Sequence, residues 1–186
     1  MSRYGRIVGT AIIFAMVGMP LMRPHPVVAD SAAEMDRDAA AALQALYAGT
    51  PRAKELGAKA KGILVFPTII KAGFIVGGQY GEGALRKGGK TVGYYNTVAA
   101  SYGLQAGAQS FGYALFFMTD SGLKYLDKSG GWEIGTGPSV VIVDEGMARA
   151  LTTTTAQDDV YAFFFSQKGL MAGLGLQGSK ISRIKK

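Results

Sequence analysis

The chain has no cysteine and one histidine, His25. The first absence removes thiolate nucleophiles, zinc–thiolate sites and disulfide staples. The second leaves a single imidazole, set between Pro24 and Pro26 near the start of the chain. Its surroundings decide whether it counts. Arg3 and Arg6 precede an uncharged run, Ile7 to Met22, and Val27-Val28-Ala29 then stands before Asp30. A basic start, an apolar stretch and small residues at a cleavage point predict a secretory signal peptide over residues 1–29, cut after about Ala29. The competing reading is an uncleaved membrane anchor, but the run is short for a span of roughly 20 residues. Cleavage would remove His25. A mature chain with neither histidine nor cysteine cannot run Ser–His or Cys–His catalysis. The expectation is therefore a binding module with no catalytic residues, exported to the periplasm or cell envelope.

Loss of Arg3, Arg6 and Arg23 with the leader would lower the Lys plus Arg total from 20 to 17, against 13 acidic residues. Such a modest excess favours anionic surfaces only mildly. It falls short of a nucleic-acid binder, and no basic–aromatic interleaving supports one. About 157 residues remain after cleavage, enough to bury a core without disulfides.

Residues 30–60 read as helical. Ser31 with Glu34 three positions on forms a capping box, and Met35, Leu43, Leu46 and Tyr47 make an apolar stripe, so a helix is predicted over Ser31 to Tyr47. A second helix, Pro51 to Ala60, starts with proline in its first turn. Residues 61–186 are glycine-rich and strand-like and are expected to form one globular unit with the helices. Short strands are predicted at Ile63–Phe66, Gly73–Leu85, Thr91–Thr97, Tyr102–Gln109, Tyr113–Met118, Trp132–Ile134, Val140–Val143, Val160–Ser166, Leu170–Leu176 and Ser179–Ile184. Gly88-Gly89 marks a hairpin turn, and Thr119 or Asp120 can cap a short helix. The fold class is α+β: N-terminal helices followed by a mainly antiparallel, curled or barrel-like sheet.

Of 27 glycines, 24 lie beyond residue 30, several at even spacing: Gly73, Gly77 and Gly81; Gly103 and Gly107; Gly173 and Gly175. Even spacing puts strand glycines on one face, where a backbone or side chain can approach closely. A helix or second sheet packed on that face is the plainer reading. A groove for an acyl chain or an extended partner is the other.

Most motifs fail on context. Gly173 to Gly178 has the dinucleotide-type glycine spacing but opens no helix and has no room for a βαβ unit downstream. Asp144-Glu145 and Asp158-Asp159 fit solvated turns better than paired acid–base groups. No spaced Asp loop of the calcium type is present, and no metal or other cofactor is implied. Three basic clusters remain: Arg52, Lys54, Lys59 and Lys61; Arg86, Lys87 and Lys90; and Lys180 and Arg183 with Lys185 and Lys186. Each can be a solvated face, or a headgroup site gaining about 1 kcal/mol per cation near an anionic leaflet.

Four stretches carry a family resemblance. They are Ala60 to Pro67 with Lys71 to Gly78 and Tyr80 to Gly83; Gly107 to Ser110; Phe117 to Asp120; and Phe164 to Gly173 with Gly178-Ser179. In this order they resemble the SYLF domain family. The resemblance implies a lipid-binding module without catalytic residues. Eukaryotic members are linked to phosphoinositide membranes through a basic amphipathic N-terminal segment, and a fungal branch is linked to actin. Here the first helix is acidic on its polar side, and only Arg52 to Lys61 is basic. Anionic phospholipid or a membrane surface is the expected partner and an envelope protein the alternative; export argues against actin.

Overall fold

A computed structural model of the protein describes residues 31–143, 157–169, 176 and 178–186, with backbone alone at 74, 75, 101–106 and 169. The leader, Asp144-Glu145, the Leu170–Leu176 strand apart from Leu176, and most of the Gly173–Gly178 motif lie outside the described residues.

The helices form where the sequence places them. Helix α1 spans Ala32–Gly49 and α2 spans Pro51–Lys59. The capping box is made in both directions: Ser31 Oγ accepts from the Glu34 amide at 3.2 Å, and Glu34 Oε2 accepts from the Ser31 amide at 2.9 Å. These two bonds satisfy amide donors that a helix start leaves open. The bonds that Ser31 donates to the Glu34 carboxyl, from its amide and from its hydroxyl, hold that carboxyl below its ordinary range.

Two long strands dominate the rest: β1, Gly62–Lys87, and β2, Lys90–Phe117. A two-residue turn joins them, with Gly88 at φ 54° and Gly89 at φ 79°. Positive φ at both central residues matches the twist of the strands and suits glycine. After β2 come α3 (Asp120–Lys124), a 3₁₀ turn (Tyr125–Asp127), β3 (Trp132–Glu133), β4 (Val140–Val143), β5 (Val160–Gly169) and β6 (Lys180–Ile184). The sheet runs β3-β6-β2-β5-β4, with β1 antiparallel to β2. Among the described residues only β4 and β5 pair in parallel. The α+β class with a mainly antiparallel, curled sheet is what the residues form.

The strand boundaries differ from those read in the sequence. Pro67 ends no strand: β1 passes through it at a bulge between Phe66 and Ile69, where a missing amide donor is tolerated. Likewise β2 joins three predicted strands into one, because its other edge is shared. Tyr94 to Val98 pairs with β6, and Gln109 to Phe117 pairs with β5.

Both faces of the sheet are buried at the helical end. Leu64, Phe66, Leu115 and Phe117 point inward to a core completed by Leu123, Leu126 and Trp132. Ile63, Val65, Ala114 and Phe116 point outward, under Met35, Leu43, Leu46 and Leu56 of the helices. That alternation is the period of two expected of a strand packed on both sides.

Glycines let the long hairpin bend on itself. A Cβ on Gly83 would stand 2.7 Å from the Phe66 ring, and one on Gly81 would stand 2.7 Å from the Thr68 carbonyl oxygen. The two halves of β1 thus cross with almost no gap. At Gly112 the ring of Phe165 takes the same space. At these positions the glycine surface is filled by the sheet itself, the plainer of the two expectations. Gly73 and Gly77 do something else. A Cβ on Gly73 would lie 2.8 Å from the Val76 carbonyl oxygen and collide with Gly77. So β1 reverses sharply there, opposite a register shift of β2 between Gly103 and Gly107. Inside the curl, Tyr113 donates to Thr97 Oγ1 at 3.0 Å, tying the two halves of β2 together.

Candidate functional site

A cleft of about 380 Å³ opens where the helices meet the hairpin turn. Leu43, Gln44 and Tyr47 of α1 form one wall, Gly57 and Ala58 of α2 the second, and Arg86 with Gly88-Gly89 the third. Its shape depends on Gly57, an interior helix residue. A Cβ there would lie 2.8 Å from Cζ of Tyr47, so only glycine lets that ring lie across α2. Burial raises the Tyr47 pKa, and the nearby Arg86 guanidinium partly offsets the rise. Arg86 itself is held by a bond from Nη2 to the Gly89 carbonyl at 2.7 Å. The turn thus anchors the cation that lines the cleft.

Among the described residues Arg86 is the one cation lining this cleft, and the other members of two of the three basic clusters lie on α2 and beside the hairpin turn, the elements that wall it. Lys59 lies in the last turn of α2, and Lys54 stands one turn before Ala58. The stem of Lys87 lies against Gly62, next in the chain to Lys61, and Lys87 is paired in register with Lys90 across the turn. Among the described residues, none of Lys54, Lys59, Lys61, Arg86, Lys87 and Lys90 is in an ion pair. Arg52 differs, being paired with Glu55.

The third cluster is elsewhere. Lys180 and Arg183 sit on β6, on the opposite edge of β2 from β1. Arg183 reaches Asp127 at 4.0 Å, and Lys186 pairs with Glu82. Lys180 lies opposite Glu133 in the β3–β6 register. Arg183 and Lys186 thus have carboxylate partners, Lys180 is in no ion pair among the described residues, and none of the three lines the cleft.

Asp158 and Asp159 also have structural partners. Asp159 accepts from Thr119 Oγ1 at 2.6 Å and from the Ser139 amide at 3.3 Å, and Asp158 accepts from the Tyr161 hydroxyl at 3.2 Å. They fasten the loop before β5. Sequence reasoning missed Tyr47 and Gln44 as site residues, since Tyr47 reads there as part of an apolar stripe. The usable signal was Gly57, a glycine inside a helix, which costs stability unless something packs closely on it.

The arrangement is a half-apolar cleft with a cationic rim, suited to holding an anionic group above an apolar body. A family model described as "Ysc84: Las17-binding protein actin regulator" matches residues 98–186. No curated protein matches the chain. The matched stretch covers most of β2 and everything after it. Helices α1 and α2 and the hairpin turn precede it.

Proposed function

We propose that the chain is a member of the SYLF family of binding modules, which it resembles and whose family model matches residues 98–186, and that it is an exported protein whose cationic rim contacts anionic phospholipid at the cell envelope. The observation that carries this reading is that Arg86 lines the cleft and that Lys59, Lys61, Lys87 and Lys90 each stand next in the chain to a lining residue, without ion pairs among the described residues. Uncompensated cations near an anionic leaflet gain about 1 kcal/mol each, and salt screens that gain. Gln at positions 59, 61, 87 and 90 together should therefore weaken binding to phosphatidylglycerol vesicles by two to three orders of magnitude at low salt (~1 kcal/mol per cation). Co-sedimentation with phosphatidylglycerol and phosphatidylcholine vesicles, at low and high salt, is the test. Equal and negligible pelleting with both lipids would end the reading.

A protein partner in the envelope is the second reading. The family description, a Las17-binding actin regulator, names protein binding, and the matched residues 98–186 exclude the cleft's basic walls. Capture of one defined envelope protein by the purified chain, unchanged by detergent or added lipid, would favour it.

A further inference from the structure

The reversal of β1 at Gly73–Gly77 leaves an apolar apex on the hairpin. Val76, within that reversal, is the most exposed large hydrophobic described, at 58%. Ile70, Tyr80 and Val98 are also about half exposed. Register places them on one outer face. Tyr80 pairs with Val98, which pairs on its other edge with Lys180; Ile70 pairs with Ser110, which pairs with Lys168. Residues directly opposite in a sheet share a face. Two cross-strand rows, each carrying an exposed lysine, therefore bracket the apex.

The strand segments around it carry few acids. Ala72 to Gly81 and Thr91 to Thr119 contain no charged residue. Glu82, the next outer-face position after Tyr80, is ion-paired with Lys186 and accepts from the Tyr80 hydroxyl at 2.6 Å. Only Glu133, beyond Lys180 in its row, is an exposed acid, and the two form no ion pair among the described residues.

We infer that this apex inserts into the interfacial region of an anionic bilayer, with Lys168 and Lys180 at headgroup level. The inference rests on the lipid reading above but adds a second, apolar point of contact, remote from the cleft. Charge complementarity selects the occupant. A bilayer offers apolar depth in the middle and negative charge at the rim, and the apex offers the reverse pair.

The test uses the full chain and vesicles of mixed phosphatidylglycerol and phosphatidylcholine. Val76→Asp should weaken pelleting about tenfold, as expected for losing one buried aliphatic side chain. Ile142→Asp, an exposed hydrophobic on β4 away from the hairpin, should leave binding unchanged. Val76→Trp should show a blue-shifted emission on vesicles, quenched by lipids brominated on their acyl chains. Should Val76→Asp lose its fold by circular dichroism, Val76→Ser and the tryptophan readout replace it. Vesicle binding that is normal in Val76→Asp, with no acyl quenching of Val76→Trp, would overturn the apex and leave the headgroup reading standing. No vesicle binding by the unmodified chain would overturn both. A dimer that Val76→Asp dissolves would give the face to a second copy and overturn the insertion.

Discussion

The two ends of the β1–β2 hairpin carry the same alternation on their outer face, yet one end is roofed and the other bare. Ile63, Val65, Ala114 and Phe116 lie under α1 and α2, while Ile70, Val76, Tyr80 and Val98 face outward at about half exposure or more. Chemistry does not separate the two sets; both are aliphatic or aromatic. Length does. Helix α1 has 18 residues and spans about 27 Å at 1.5 Å per residue. Strand β1 has 26 residues and would extend to about 86 Å at 3.3 Å per residue. Two helices cannot cover such a ribbon even after it bends, so some apolar outer face is left over. What the comparison teaches is that the apex is not a failed core. It is surface that the chain builds beyond what its helices can bury.

The largest effect that could break this contrast is a truncation at each end. Phe116 is fully buried, with ring centroids 5.0 Å from Phe163 and 6.4 Å from Tyr47. Phe116→Ala should cost about 3–5 kcal/mol by urea unfolding, since it removes a large ring and leaves a cavity. Val76→Ala should stay within about 0.5 kcal/mol, as surface positions do. Similar costs at the two sites would mean that the apex is packed, and the contrast would fail.

Glycine gives the next comparison. At Gly83 a Cβ meets the Val65 carbonyl and the Phe66 ring, all in the crossing of β1 on itself. At Gly78, near the apex, the nearest atom is the Ala99 carbonyl oxygen at 3.6 Å, an ordinary contact. Gly83→Ala should destabilise by about 1–3 kcal/mol, because backbone has to move. Gly78→Ala should be neutral or stabilise by a few tenths (~0.5 kcal/mol), by restricting the unfolded chain. Thermal melts of the two variants check both signs.

Much of this fold was legible before any coordinates. Ser31 with Glu34, Pro51 and Gly88-Gly89 each satisfy a local requirement, and each marks its element within a residue or two. What could not be read was set by distant partners. Pro67 looks like a strand end until β2 pairs with β1 on both sides of a bulge there. Evenly spaced Gly73 and Gly77 look like a smooth face, but the chain folds so that they meet each other. The candidate cleft was half legible. Its cations could be named from sequence, but the meeting of α2 with the Arg86 turn depends on β1 returning to its own start. Equally, nothing local told Arg183, which pairs with Asp127, from Lys59 and Lys61, which stand next in the chain to the cleft lining.

The smallest effect compares two tyrosines, one from inside the curl and one from the apex. Tyr113 is fully buried, and burial pushes its pKa far up, with the bond to Thr97 opposing slightly. Tyr80 is raised to about 12, first by desolvation and then by its bond to Glu82. A raised folded-state pKa favours folding only below the unfolded value of 10.0. The benefit is lost as pH climbs from there toward the folded value, because the unfolded chain ionises first. Stability should therefore fall between about pH 10 and 12. Tyr113→Phe costs about 1 kcal/mol at neutral pH through the lost bond to Thr97, yet it should flatten that alkaline fall. Tyr80→Phe should flatten it less, since water screens a half-exposed phenolate. Urea unfolding at neutral pH and at intervals above pH 9 measures both effects. An equal flattening by the two variants would mean that the apex excludes water as the interior does, and the bare end of the hairpin would not be bare.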